Sequence, residues 1–353
     1  MLMLNMDAGM RPNPTQKILF APASGDGIGG GHVMRCLTLA QALSARGAVC
    51  EFVVGHDGAQ LLKAYGAGRF VLHCYVGEKT EPAIAAVVHN QHFDSIVIDD
   101  YLIADNVERR LAKHTRRVVV IDDLADRAHC ADLLVDPGFG RAAQDYNALL
   151  PDAAVRLIGP AFAMVRPAFG ALRGATLGRS ATRKPNRIFM SFGLSDVEAI
   201  AGRAVDLVTT SGLDLQIDVA LSSSAQSAPR LRALAAADDR VRLHFDARDV
   251  ADLMASADMA IGAGGASTWE RCTLGLPTLA VIVADNQRPM IHAMAADGAL
   301  LAVDLTAATF EADFTAALQT LAEVDVRIAL RDRSAALCDG QGANRIADAI
   351  LAL

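Results

Sequence analysis

KILFAPASGDGIGGGHVMRCLTLAQALSARG, residues 17–47, holds the reading on which the fold rests. Its first five residues are a short apolar run with the pattern of a strand, and a glycine-rich turn follows. Val33, Leu37, Ala40 and Leu43 then recur at helical spacing, and Gly47 supplies a stop. This strand–turn–helix unit repeats. Further β-rich runs fall at 49–54, 69–74, 95–99, 117–122 and 132–136, with helical patterns between them. Strands that are apolar throughout and separated by helices predict a parallel sheet covered on both faces. Residues 166–187 are basic, glycine-bearing and aperiodic, so 166–186 reads as a linker. Beyond it the alternation restarts, with strands expected at 187–193, 215–221, 241–245, 258–264, 278–284 and 300–305 and a largely helical stretch at 307–353.

The predicted class is therefore α/β, with two Rossmann-type doubly wound parallel-sheet domains in tandem. Residues 1–16 read as a loose tail, 17–165 as the first domain and 187–353 as the second, whose last helices can cross back to the first. A chain of 353 residues is long enough for two cores, and 52% of it is hydrophobic. Sheets of this kind bind ligands beyond the carboxyl ends of their strands, so two facing each other make a cleft.

The charge balance narrows the partners. The net charge is -7 and no long Lys/Arg cluster occurs, which argues against nucleic acid and against an anionic membrane surface. No uncharged run approaches the ~18 residues of a membrane span. The six cysteines are scattered without CxxC pairs and read as reduced core thiols, and the amino-terminal residues carry no signal pattern. A cytoplasmic monomer acting on a small molecule is expected.

Four stretches can carry chemistry. Gly25, Gly27 and Gly30 satisfy G-x-G-x-x-G after a strand. The acidic residue a dinucleotide site wants at the tip of the second strand is misplaced, because Glu51 comes early and Asp57 late. His32 opens the helix, where the helix N-terminus disfavours the imidazolium and favours the neutral form a general base needs. It is either that base or a residue that only fills the turn. The second stretch, GAGGASTWERCTLGLPTLAVIVADNQ (262–287), places glycine amides at a helix N-terminus, a ready anion site, with Glu270 one turn in and Asn286 and Gln287 on the same sheet edge. In the third, MSFGLSD (190–196), Ser191 and Gly193 let backbone approach a phosphate. In the fourth, IDDYLI (98–103), Asp99, Asp100 and Tyr101 face the cleft, and Asp122 and Asp123 repeat the acid pair one strand later.

Taken together, GGGHVMRCLTLA, VIDDYLI, VIDDLADRAHCADLLVD, IGPAFAMVRPAF, SFGLSD and GAGGASTWERCTLGLPTLAVIVADNQ resemble the UDP-sugar hydrolases of pseudaminic acid biosynthesis, over about residues 17–305. That family acts on UDP-2,4-diacetamido-2,4,6-trideoxy-β-L-altropyranose and is related to two-domain GT-B glycosyltransferases. The resemblance implies a GT-B-like fold and an inverting hydrolysis that releases UDP and free sugar, with no metal and no cofactor. It implies that His32 activates water and that Tyr101 lies near the sugar. Gly264, Gly265, Ala266, Ser267 and Thr268 would hold the diphosphate. Glu270 would bind the ribose, with Asn286 and Gln287 near sugar and phosphates. Gly30 and Gly31 would let sugar and water approach the backbone, and Arg35, Asp100, Ser191 and Gly193 would complete the substrate contacts. The chain departs from the family pattern at Leu194, where a glycine is usual, at Pro137 and Gly138, where a Gln-Asn pair is usual, and in its run of three glycines before His32. Two rivals stand beside this reading. One is a GT-B glycosyltransferase with a sugar or lipid acceptor, and the other a nucleotide-sugar-binding protein without turnover.

Overall fold

The computed structural model describes residues 15–25, 30–66, 68–77, 80–180, 182–193 and 196–353. Most of the amino-terminal tail, Gly27 of the glycine signature and Leu194 lie outside the described residues.

The first sheet has seven parallel strands: β1 (Lys17–Pro22), β2 (Val49–Val54), β3 (Val71–Cys74), β4 (Phe93–Asp99), β5 (Thr115–Ile121), β6 (Leu133–Asp136) and β7 (Val155–Ile158). Their spatial order is β3-β2-β1-β4-β5-β6-β7. The second sheet has six, also parallel: β8 (Arg187–Ser191), β9 (Gln216–Leu221), β10 (Val241–Phe245), β11 (Met259–Ala263), β12 (Thr278–Ile282) and β13 (Leu301–Asp304), in the order β10-β9-β8-β11-β12-β13. Central strands are buried on both faces, as β11 and β12 are along their whole lengths, because helices cover each side. The strand runs read from the sequence correspond to twelve of these strands. The remaining one, β7, pairs only with β6, and its first residue, Val155, is exposed. A four-residue edge strand with one wet face carries too little apolar signal to be read from the chain.

Each sheet reverses its order at one place, between β1 and β4 in the first and between β8 and β11 in the second. Loops leaving neighbouring strands at such a switch point diverge to opposite faces and leave a crevice at the strands' carboxyl ends. The chemistry-bearing stretches of the sequence sit at these two places.

The connection between the sheets is not the plain linker read from its composition. It contains a helix, Pro167–Leu177, that opens with proline, which a first helical turn accepts because its N–H needs no partner. Phe169 buries fully in a core with Phe189 and Trp269 of the second domain. Arg173 donates to the carbonyls of Thr273, Ala335 and Cys338. Tertiary contacts therefore hold a glycine-bearing segment helical against its weak propensity. At the other end, the last helix, Gly342–Leu351, lays Ile346, Ala347 and Ile350 into the first domain's core against the helix Gly31–Ser44. Burial of the two isoleucines contributes about 3 kcal/mol or more. The crossing is close enough that a Cβ on Gly342 would collide with the Ala163 carbonyl.

Candidate functional site

At the first switch point, β1 feeds the helix Gly31–Ser44, and β4 ends beside it at Asp99, whose register partner is Pro22. His32 is the second residue of that helix. Its Nδ1 lies 2.7 Å from Asp99 Oδ1. Arg35, on the same helix face, donates from Nε to Asp99 Oδ2 at 2.6 Å and from Nη1 to Asp123 Oδ2 at 2.8 Å. The Tyr101 hydroxyl donates to the other oxygen of Asp123 at 2.5 Å, and its ring meets the His32 ring edge-on at a centroid distance of 4.9 Å.

Asp99 is fully buried. Burial would raise its pKa, but the Arg35 guanidinium and His32 outweigh that and hold the carboxyl well below the usual range. A carboxylate only accepts hydrogen bonds, so Nδ1 of His32 carries the proton and donates it to Asp99. Nε2 is left as the ring's other nitrogen, and among the described residues no protein group meets it. Arg35 Nη2 at 3.2 Å from Nδ1 is a second donor aimed at Asp99, not a bond to the ring. Burial works against the Arg35 charge, and Asp99 and Asp123 more than restore it. Tyr101 is driven well above its ordinary pKa by burial and by the Asp123 charge, so it stays a phenol. The result is an imidazole held in orientation by a buried carboxylate.

At the second switch point, β11 ends at Ala263 and the helix Ser267–Leu274 begins after three intervening residues. Gly262 pairs with Ser191, the last residue of β8, and Gly193 follows at φ +87°. The amide of Gly264 is committed to the protein, donating to Val281 O and Gln287 Oε1, each at 3.2 Å. A Cβ on Gly264 would come within 2.6 Å of Ile291, so this glycine serves packing. Around Gly265 there is open space. Among the described residues, no acceptor takes the N–H groups of Gly265, Ala266 and Ser267. Three free amides at a helix N-terminus form an anion cradle.

Glu270 is not free. Its Oε1 accepts from Arg166 Nε at 2.6 Å. Arg166 precedes the connecting helix and lies over the Phe169 ring. Burial disfavours its charge, and Glu270 holds it above its ordinary pKa.

No protein-family model matches the chain. It is similar to the UDP-2,4-diacetamido-2,4,6-trideoxy-beta-L-altropyranose hydrolase of Campylobacter jejuni, 24% identical over 275 residues, which are 77% of this chain and 93% of that one. An uncharacterised protein of Methanocaldococcus jannaschii is 23% identical over 268 residues, 74% of this chain, and the match spans about half, 54%, of that relative's length. Among solved structures, Acinetobacter baumannii MurG superposes with a TM-score of 0.67 at 16% identity, covering 96% of this chain and 100% of that one. A putative UDP-N-acetylglucosamine 2-epimerase of Listeria monocytogenes gives 0.61 at 16%, covering 95% and 96%. The chain has the GT-B fold.

Within this GT-B molecule several expected substrate contacts turn inward. Asp100 is buried, and its Oδ1 takes the Leu102 N–H at 2.9 Å, closing the turn that carries Tyr101. Arg35 is taken up by Asp99 and Asp123. Thr268 is buried, and its hydroxyl, like that of Ser267, accepts from Arg271. Gln287 holds the amides of Gly264 and Val283. Gly30, Gly31, His32 and Tyr101 stay together at the first switch point. Ser191, Gly193, Gly265, Ala266, Ser267 and Glu270 gather at the second, and Asn286 is exposed at the same edge. The sequence reading passes over Arg166 and Arg271 as parts of the site and names Asp99 and Asp123 without giving either a role. Only Asp99 and Asp123 had a signal, as members of acid pairs at strand tips. Gly138 also finds a reason. Its amide donates to Asp136 Oδ1 at 2.7 Å, and a Cβ there would crowd that oxygen at 2.8 Å.

No described helix is long and apolar enough to cross a membrane.

Proposed function

We propose that the protein hydrolyses a UDP-linked 2,4-diacetamido-2,4,6-trideoxy sugar at its anomeric C–O bond, supplying free sugar for nonulosonic acid synthesis. The supporting observation is the His32–Asp99 pair, with Nδ1 tied down and Nε2 unpartnered. Nε2 takes a proton from water as the water oxygen attacks the anomeric carbon. The bond from that carbon to the diphosphate oxygen breaks, its electron pair leaves with UDP, and the configuration inverts. The amides of Gly265, Ala266 and Ser267 stabilise the leaving diphosphate. Glu270, steadied by Arg166, accepts from ribose hydroxyls. Tyr101 stays protonated and offers a hydroxyl beside the base. The similarity to the Campylobacter hydrolase supports this choice of substrate.

Incubation with the UDP-sugar in water enriched in heavy oxygen tests the proposal. Label in the sugar supports attack at carbon, and label in UDP overturns it. One observation favours a glycosyl acceptor instead of water: Leu102, next to Tyr101, is 85% exposed and would offer an acceptor an apolar contact. UDP release that requires an added sugar or lipid would establish that reading.

A further inference from the structure

The geometry points to Arg271 as the built-in counter-charge of the diphosphate cradle, a positioning residue whose buried cation is balanced only when an anion occupies the amides of Gly265–Ser267. This rests on the nucleotide reading above and adds a residue that does not touch the ligand.

Arg271 is 1% exposed and heads the largest fully buried side chains. Its Nη2 donates to Ala263 O at 2.8 Å and to Thr268 Oγ1 at 3.0 Å, and Nη1 donates to Ser267 Oγ at 3.1 Å. All three acceptors are neutral. Nε is buried without an acceptor. Among the described residues no carboxylate lies within ion-pair distance, and the adjacent Glu270 is held by Arg166. The buried arginine therefore carries a charge without an acid, which a folded protein ordinarily avoids. Burial pulls its pKa down to about 10, a sign of the same cost. The chain also makes room for it, because a Cβ on Gly262 would stand 2.6 Å from Nη1.

The position explains why such a costly group is kept. Its bonds link the last residue of β11 to the first turn of the next helix, so they fix the ends of the loop 264–266. Its charge lies in a low-dielectric interior behind three amides and a helix N-terminus, where its field toward an anion is little screened. A diphosphate on the cradle would supply the missing negative charge. Uridine, which has the same base and ribose but no phosphate, would not.

Calorimetric titration of the full chain with UDP and with uridine tests this. The unmodified protein is expected to bind UDP more tightly than uridine. In Arg271→Met the UDP affinity should fall at least ~10-fold with uridine affinity unchanged, and Arg271→Lys should keep most of the preference. Should Arg271→Met fail to fold, Arg271→Gln, which retains donors and lacks the charge, carries the same comparison. Equal losses for both ligands, no loss for UDP, or a lysine variant as poor as the methionine one would overturn the inference. Equal binding of UDP and uridine by the unmodified protein would instead overturn the nucleotide reading itself.

Discussion

The two switch points solve opposite electrostatic problems. At the first, the cation has its acids: Arg35 meets Asp99 and Asp123, and Asp99 also accepts from His32 Nδ1. At the second, the donors are backbone amides and the charge behind them, Arg271, meets no acid among the described residues. A balanced network holds its geometry without a ligand, which suits a base that must be oriented before water arrives. An unbalanced one is completed by what it binds, which suits an anion. One fold thus carries a charge-paired cluster in one half and, behind three free amides, an unpaired charge in the other.

Four experiments press on this contrast, from the largest expected effect down. Replacing His32 by Ala should lower turnover at least ~10²-fold while UDP affinity changes little, if catalysis and UDP binding divide between the two halves as proposed. Parallel kinetics and titration check it, and a joint loss would merge the two sites. Asp99→Asn should also cost turnover heavily, ~10²-fold or more, because the amide can donate to Nδ1 and turn the ring to the wrong tautomer. Here a pH–rate profile that kept its height and shape would remove Asp99 from the mechanism.

Neighbouring glycines offer the third test. Gly264→Ala should destabilise by about 1–3 kcal/mol, since its Cβ meets Ile291. Gly265→Ala, facing open space, should stay within about 0.5 kcal/mol of the parent yet weaken UDP binding. Thermal melts with and without UDP distinguish the two, and equal behaviour would deny that the cradle begins at Gly265.

The fourth concerns the flank of the first site. The Tyr146 hydroxyl lies 2.9 Å from both Asp122 Oδ2 and Asp136 Oδ2, with one proton to donate. Burial first, and the Asp123 charge with it, push Asp136 up to about 6. Its folded pKa exceeds its unfolded one, so the stability it contributes is fully present below about pH 3.8 and is lost as pH rises through 6. Asp136→Asn should remove that loss and be more stable than the parent at pH 7 by about 1–3 kcal/mol. Denaturant melts from pH 4 to 7 report the difference, and parallel pH curves for the two proteins would refute it.

The reach of the sequence can be followed residue by residue. Val33, Leu37, Ala40 and Leu43 face the core as their spacing predicts, and the apolar strand runs become the interiors of two parallel sheets. These are local properties, because a period of 3.6 and an unbroken apolar run each report burial within a few residues. His32 at a helix start is legible in the same way. The acids are not. In IDD and VIDD the two aspartates of each pair look alike in the chain, but consecutive residues at a strand end point to opposite faces. So Asp99 reaches His32 while Asp100 closes a turn, and Asp123 takes Arg35 and Tyr101 while Asp122 goes to Tyr146 and Arg127. Arg166 meets Glu270 across 104 residues, through a segment whose composition reads as a linker. Arg271 has the sequence of a solvated helix residue and becomes the largest of the fully buried side chains among the described residues. The sequence by itself determined most of the elements, their class and the place of the histidine at a helix start. The tertiary structure alone decided which charges are paired and that Arg271 meets no acid among the described residues, because pairing depends on strand order and on the face each strand end presents.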